Sequence, residues 1–311
     1  MIPYLEIPSL PIHGSLAIHP FGVLVAIGIF LGAYCVRLRA KQIGLDEVAA
    51  GSISTWVVLI GFIVAHLFDV VAYQPAEFGE RWSAMFEGDT AHNVFEFLKF
   101  LVLPTRGISS FGGFLGALIG LLWWTHRYRQ PIFPFADALL FGLAPGWTFG
   151  RLGCFSAHDH PGRHTDFFLA VRYPDGPRFD LGLYEALFAG ALTGLFFLLY
   201  RRPRRVGTYA ALSCTLYAPV RFGLDFLRVT DLAGADPRYF GLTPAQYGAI
   251  ALFLTGLVLA WRAIHQGTEV PQPPPFPSST GESPGAAPSS APSSEPAPSR
   301  SRKRQKQSVR G

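Results

Sequence analysis

Seven runs of predominantly apolar residues, near 18–37, 51–72, 107–125, 133–150, 182–200, 206–227 and 243–262, dominate this chain of 311 residues. Each is long enough to cross a hydrocarbon slab of ~30 Å as a helix. Each is also punctuated by glycine, which membrane helices tolerate better than soluble ones. Half of the residues are apolar and only 15% are charged, too few charges for an ordinary soluble domain. The expected fold class is an all-α integral membrane protein with seven transmembrane helices, in a membrane domain covering residues 1–266.

Charge placement gives the expected topology. The first 36 residues hold no Lys or Arg, so no cleaved signal peptide is expected and the N-terminus is expected to face outward. Inner ends then fall after the first, third, fifth and seventh runs. Arg37, Arg39 and Lys41, Arg127 and Arg129, Arg201, Arg202, Arg204 and Arg205, and Arg262 stand there, as the positive-inside rule requires. Arg151, Arg163, Arg172 and Arg178 fall on the outer side, against the rule, and need another explanation.

Two outer segments are too long for simple turns. Residues 73–106 carry Trp82, Phe86, Phe95, Phe97 and Phe100 among charges, the pattern of an arm lying at headgroup depth. Residues 151–181 are rich in Gly, Pro and Asp and form a periplasmic head loop in this reading. From about Thr268 the composition turns to Pro, Ser and Ala, so 267–311 is expected to be a disordered cytoplasmic tail. Its basic end, Arg300 to Lys306, fits anionic headgroups; the same cluster also reads as a solvated tail or a nucleic-acid patch. Cys35, Cys154 and Cys214 show no CxxC spacing, which argues against a disulfide framework or a thiolate metal site. No internal repeat with matched Gly/Pro breaks marks a transporter.

The chemistry-bearing residues concentrate in Gly150-Arg151-Leu152-Gly153-Cys154-Phe155-Ser156-Ala157-His158-Asp159-His160-Pro161-Gly162-Arg163. Two arginines, two histidines and an aspartate at a membrane edge are expensive and mark a site. Tyr184 and Glu185 open the fifth run, and Tyr217, Arg221, Asp225 and Arg228 follow one another at helical spacing in the sixth. Such a stripe lines a polar cavity or pairs with another helix; a purely structural Arg221–Asp225 pair is the competing reading. His66 and Asp69 share one helical face, either as a tuned imidazole or as an ordinary interfacial pair. His66, Asp69, His158, Asp159 and His160 would suffice for zinc only if they converged, and no HExxH spacing supports that, so neither metal nor cofactor is assigned.

In this order the motifs resemble the prolipoprotein diacylglyceryl transferases. His19-Pro20-Phe21-Gly22-Val23-Leu24 through Asp46 resembles that family's opening helix, and Ser109-Ser110-Phe111-Gly112-Gly113-Phe114-Leu115-Gly116 resembles its His-Gly-Gly segment. Gly150-Arg151-Leu152-Gly153 with Gly162-Arg163 is similar to its G-R-x-G-N-F-x-N-x-E-x-x-G motif. Leu183-Tyr184-Glu185, Tyr217 to Arg221 with Asp225, and Gly241 to Tyr247 are similar to its last three helices, so the likeness covers roughly 18–262.

The resemblance implies an enzyme of the bacterial inner membrane that moves the diacylglyceryl group of phosphatidylglycerol onto a lipobox cysteine thiol of a prolipoprotein, releasing glycerol phosphate. Its partners would be phosphatidylglycerol, lipobox peptides and membrane lipids, with no nucleic acid and no cofactor. Arg151 and Arg221 would clamp the phosphate, with Asp225 orienting Arg221. Tyr184 and Tyr217 would donate hydrogen bonds, and Gly153, Gly162, Gly112 and Gly113, with Arg163, would lie against the substrate. The chain departs from the family at Phe111, where a histidine is usual, at Phe21 for a tyrosine, and at Cys154 and Ala157 for two asparagines. Since Phe accepts no proton, His158, His160 or His66 would have to supply the base. An enzyme of the same fold with another donor or acceptor, and a lipid-binding paralogue without chemistry, are the alternatives.

Overall fold

A computed structural model describes residues 1–13, 16–73, 75–86, 90–102, 109–202, 204–229 and 238–266. The expected tail, 267–311, with its basic end, lies outside the described residues.

Long helices account for all seven apolar runs. They are α1 (Pro20–Gln42), α2 (Glu47–Phe68), α5 (Ser110–Arg127), α6 (Ile132–Ala157), α7 (Leu181–Tyr200), α8 (Thr208–Leu224) and α9 (Pro244–His265), with α3 (Pro75–Ala84) and α4 (Thr90–Val102) between α2 and α5. Five of them, α1, α2, α6, α7 and α9, are long and apolar enough to cross a membrane. Starts are written in short polar caps: Asp46 accepts from Ala49 N at 2.6 Å, Ser109 from Gly112 N at 3.3 Å and Asp180 from Leu183 N at 2.9 Å. Thr243 and Gln246 close a reciprocal capping box at the head of α9.

Helix α6 is the central element, packed on α1 and α7 and touching α8, while α2 pairs with α5 and α8 with α9. Hydrophobic burial does not distinguish a neighbouring helix from lipid, so close approach of small residues carries much of the packing. At the α1–α6 crossing a Cβ on Gly142 would stand 2.4 Å from the carbonyl oxygen of Gly32. Large apolar side chains such as Phe30 and Tyr34 point away from the helix pack instead.

At the end opposite the candidate site, the basic helix ends converge. Arg39 donates to Asp137 Oδ2 from Nε at 3.0 Å and from Nη2 at 2.7 Å, both side chains being fully buried. Asp137 Oδ1 accepts from the backbone of Tyr209 at 2.8 Å and Ala210 at 3.1 Å, so one carboxylate joins α1 and α6 to the first turn of α8. The Arg39 guanidinium also reaches the carbonyls of Arg204 and Arg205 and lies over the Tyr209 ring at 4.7 Å. Arg205 in turn donates to Ile264 O at 2.7 Å, tying in the end of α9.

Between α2 and α5, where an arm is expected over 73–106, a π-helical turn (Asp69–Tyr73) leads into α3 and α4. Phe78, Trp82, Phe86 and Phe97 form one aromatic cluster there. Arg81 bridges to Glu77 at 2.9 Å and lies 4.8 Å from the Phe100 ring. Residues 74, 87–89 and 103–108 of that segment lie outside the described residues.

Two expectations are corrected. The fourth apolar run does not end at 150: α6 continues to Ala157, so Arg151 is a helical residue, not a loop residue. The helix can continue because the charge of Arg151 is met by Glu185 of α7. The fold is also not wholly α. Strands β4 (Pro161–His164), β5 (Val171–Tyr173) and β6 (Gly176–Asp180) join β1 (Ile2–Pro3) in a sheet of order β1-β5-β6-β4. Strands β2 (Leu10–His13) and β3 (Leu16–Ile18) form a separate hairpin. The β5–β6 turn runs through Pro174-Asp175 to Gly176 at φ +124°, a conformation that favours glycine. Arg178 of β6 braces this turn through Asp175 at 2.7 Å, and its hydrogen bonds, helped by its charge, hold the Asp175 carboxyl below the usual range.

Candidate active site

Three helix ends meet beside the sheet: the last turns of α6, the first turn of α7 and the last turn of α8. Glu185, in the first turn of α7, is the shared group. Arg151 Nε lies 2.9 Å from Glu185 Oε2, a salt-bridge distance without the alignment of a hydrogen bond. Tyr217 donates its hydroxyl to the same oxygen at 3.0 Å, and Arg221 Nη1 stands 3.9 Å from Oε1. One buried carboxylate thus faces two guanidinium groups and a phenol. In surroundings with little water such a charge is tolerable only when paired.

A second carboxylate orients the cluster from behind. Asp225 opens a 3₁₀ turn (Asp225–Leu227) and accepts from Arg221 Nη1 at 3.1 Å, with Arg228 Nη1 at 3.9 Å. Its other oxygen accepts from the Thr243 hydroxyl, the cap of α9. The head of α9 therefore fixes Asp225, and Asp225 fixes Arg221. The ring of Trp147, one turn before Arg151, lies under that guanidinium at 4.5 Å.

Beyond the end of α6 the two histidines diverge. His158 caps the helix in the left-handed conformation, φ 49°, a place more often taken by Gly or Asn. Its Nδ1 is 3.1 Å from Asp180, its Nε2 is 3.3 Å from Leu5 O, and the ring stacks on Tyr4 at 4.1 Å. Both nitrogens face acceptors from the protein, so His158 ties the N-terminal segment to α6 and β6.

His160 is placed differently. Its Nδ1 is 2.5 Å from Asp159 and its Nε2 is 3.5 Å from Arg151 Nη1, which also reaches Cys154 Sγ at 3.8 Å. Burial opposes charge on this imidazole, but the hydrogen bonds to Asp159 and Cys154 outweigh it and raise its pKa to about 9. Ligand atoms of Cys154, Asp159 and His160 lie within 4.8 Å of one another, a set of donors suited to zinc. Arg151 contacts both the sulfur and the imidazole, so a metal cation there would sit against a fixed positive charge.

Arg151, Tyr217, Arg221 and Asp225 thus come together, with His160 at their edge. Other expected site residues stand in packing or at the surface. Tyr184 donates to Leu169 O at 3.2 Å, tying α7 to the loop before β5. A Cβ on Gly153 would meet the Phe21 ring of α1 at 3.1 Å, and one on Gly162 the Leu227 carbonyl at 2.7 Å. Gly112 lies against α2, where a Cβ would stand 2.6 Å from that of Phe68, while Gly113 has more room. Arg163 is exposed on β4. The pairing expected between His66 and Asp69 is not made: the regular helix ends at residue 68, and both His66 nitrogens are buried without a hydrogen-bond partner among the described residues. Glu185 and Trp147 are the contributors that the sequence reading did not place in the site. The signal for Glu185 was its position as the only carboxylate in α7.

The family model described as prolipoprotein diacylglyceryl transferase matches residues 9–262. Among curated relatives, the phosphatidylglycerol–prolipoprotein diacylglyceryl transferase of Chromohalobacter salexigens is 28% identical over 274 residues, covering 83% of this chain and 93% of the relative. The proteins of the same name from Acinetobacter baumannii (strain ACICU) and Vibrio campbellii are each 26% identical, covering 85% and 73% of this chain and 95% and 82% of their own lengths.

Proposed function

The chain belongs to the prolipoprotein diacylglyceryl transferase family, and on that premise we propose that it transfers a diacylglyceryl group from phosphatidylglycerol to the lipobox cysteine of a prolipoprotein. The observation that carries this reading is the pair of arginines joined through Glu185. The acceptor thiolate attacks the glyceryl carbon that bears the phosphate. A carbon–sulfur bond forms, the carbon–oxygen bond breaks, and the electron pair leaves on the oxygen of glycerol phosphate. Charge grows on that phosphate, so fixed cations stabilise the departure more than the bound donor.

Arg151 and Arg221 hold the phosphate, and Asp225 and Glu185 keep their guanidinium groups aimed. Protonated His160 adds a third cation to this side of the cluster, beside Asp159, as binding of a phosphodiester anion requires. His160, charged at neutral pH, serves as a further phosphate partner and not as a resting base. An arriving thiol ionises more readily beside Arg151 and His160, because neighbouring cations lower thiol pKa values; its proton leaves to solvent. Under this reading the absence of a histidine at Phe111 is offset by cations, and His158 serves as a strut.

We further assign the remaining two helices, α5 and α8, to the membrane, giving seven spans; the 18 residues of α5 extend about 27 Å. The converging basic ends support a cytoplasmic location for that side, with the N-terminus and the site periplasmic at the inner membrane. The aromatic arm α3–α4 then lies at the outer headgroup layer.

The test is complementation: the host's own transferase is depleted, this chain is expressed, and a tagged prolipoprotein is followed by mass. A diacylglyceryl-sized gain that vanishes with Arg151→Ala is expected. No gain from well-inserted protein overturns the proposal.

A further inference from the structure

Directly below the arginine cluster lies a donor without an acceptor. Trp147 Nε1 is buried and has no hydrogen-bond partner among the described residues, although an unsatisfied N–H at membrane depth is costly. The ring itself is firmly held. Arg151 stacks on it at 4.5 Å, Phe114 of α5 approaches at 5.1 Å, and Tyr217 of α8 meets it edge-on at 6.4 Å. Phe114 is 44% exposed, so the indole sits between the polar cluster and the apolar outside of the bundle.

Position matters as much as the missing partner. Trp147 precedes Arg151 by four residues on α6, so it lies just over one helical turn, about 6 Å, further from the sheet end. In a glycerophospholipid the ester carbonyls lie below the phosphate by the length of the glycerol, a comparable span. Tyr217, at a similar depth on α8, has already given its hydroxyl to Glu185. Trp147 has not given its N–H to any group.

The geometry points to Trp147 Nε1 as the donor to an ester carbonyl of the lipid whose phosphate Arg151 holds, which makes the site selective for diacyl over dialkyl glycerophospholipids. The inference rests on the transferase reading and names the substrate class within it. An ether-linked lipid has the same shape and charge but offers no carbonyl at that depth. The donor would then stay unsatisfied in the complex, and the loss of that bond is the basis of discrimination.

The full-length protein in detergent micelles is given dioleoyl phosphatidylglycerol or its dioleyl diether counterpart, with a lipobox peptide as acceptor. The expected result is a kcat/KM about three- to tenfold higher for the diacyl lipid, carried mainly by KM. Trp147→Phe keeps an aromatic face under Arg151 and removes the N–H. It is expected to abolish the preference by lowering kcat/KM for the diacyl lipid more than for the diether, until the two are used equally. Should Trp147→Phe not accumulate, benzothienylalanine at 147, with sulfur for the N–H, takes its place. Equal use of both lipids by the wild type, or a preference that persists without the N–H, overturns the inference. If neither lipid supports transfer, the transferase reading fails, and displacement of a fluorescent phosphatidylglycerol by the same two lipids decides the binding preference by the same criteria.

Discussion

Arg151 Nε and Glu185 Oε2 stand 2.9 Å apart between the end of α6 and the start of α7, with 8% and 3% of their side chains exposed. This contact lets α6 carry a charge through its last turns. It also couples the cluster, because the same carboxylate faces Tyr217 and Arg221.

Glu185→Gln should therefore disable the site and loosen the fold together. It keeps the volume but leaves the buried Arg151 guanidinium without its carboxylate, a loss of about 3–5 kcal/mol by analogy with broken buried ion pairs, while Arg221 keeps Asp225. Tyr217→Phe removes one neutral donor and should cost about 1 kcal/mol. Thermal unfolding in detergent, read beside lipid transfer, separates the two; equal stability of both variants would contradict the shared role of Glu185.

The histidines should separate by pH. His160 titrates at about 9, above its ordinary 6.5, so its charge is complete below 6.5 and is lost as pH rises through about 9. Phosphate binding should weaken across that window, and Asp159→Asn should move the alkaline limb to lower pH. In His160→Gln the limb assigned to this residue should be absent. His158→Phe should instead leave the limb in place and lower stability by about 1–3 kcal/mol, through loss of its bonds to Asp180 and Leu5. A pH–rate profile of each variant checks the assignment.

At the other end of the bundle, Asp137→Asn should strand the Arg39 charge and cost about 3–5 kcal/mol. The double variant Arg39→Met/Asp137→Leu should recover part of that. Full recovery is not expected, because Asp137 also accepts from Tyr209 N and Ala210 N. A double-mutant cycle in thermal stability measures the coupling.

Helix contacts predict a contrast between two glycines. Gly142→Ala would drive a methyl to within 2.4 Å of the Gly32 carbonyl, forcing α1 and α6 apart, whereas nothing lies within 4 Å of a Cβ at Gly22. The first should lower the yield of folded protein and the second should leave it unchanged, as seen by size-exclusion profiles.

Much of this architecture was legible because membrane helices announce themselves by length and apolarity. The stripe at Tyr217, Arg221 and Asp225 was legible for the same reason, since charge among apolar residues stands out and its spacing is helical. Glu185 escaped because one carboxylate at a helix start reads as an interfacial residue until its partners on α6 and α8 are known. The small sheet escaped because its strands are two to five residues long and gain their register from one another, β1 being far away in sequence. His158 and His160 could not be told apart, since two residues of separation say nothing about which ring turns toward Asp180 and which toward Arg151.

The most direct test of the central claim is the release of glycerol phosphate from phosphatidylglycerol by purified protein, with and without a lipobox peptide. The expected result is release matched one to one by thioether-linked peptide, abolished by Arg151→Ala and by replacing the peptide cysteine with serine. Release that proceeds without the peptide, or that survives Arg151→Ala, would contradict it.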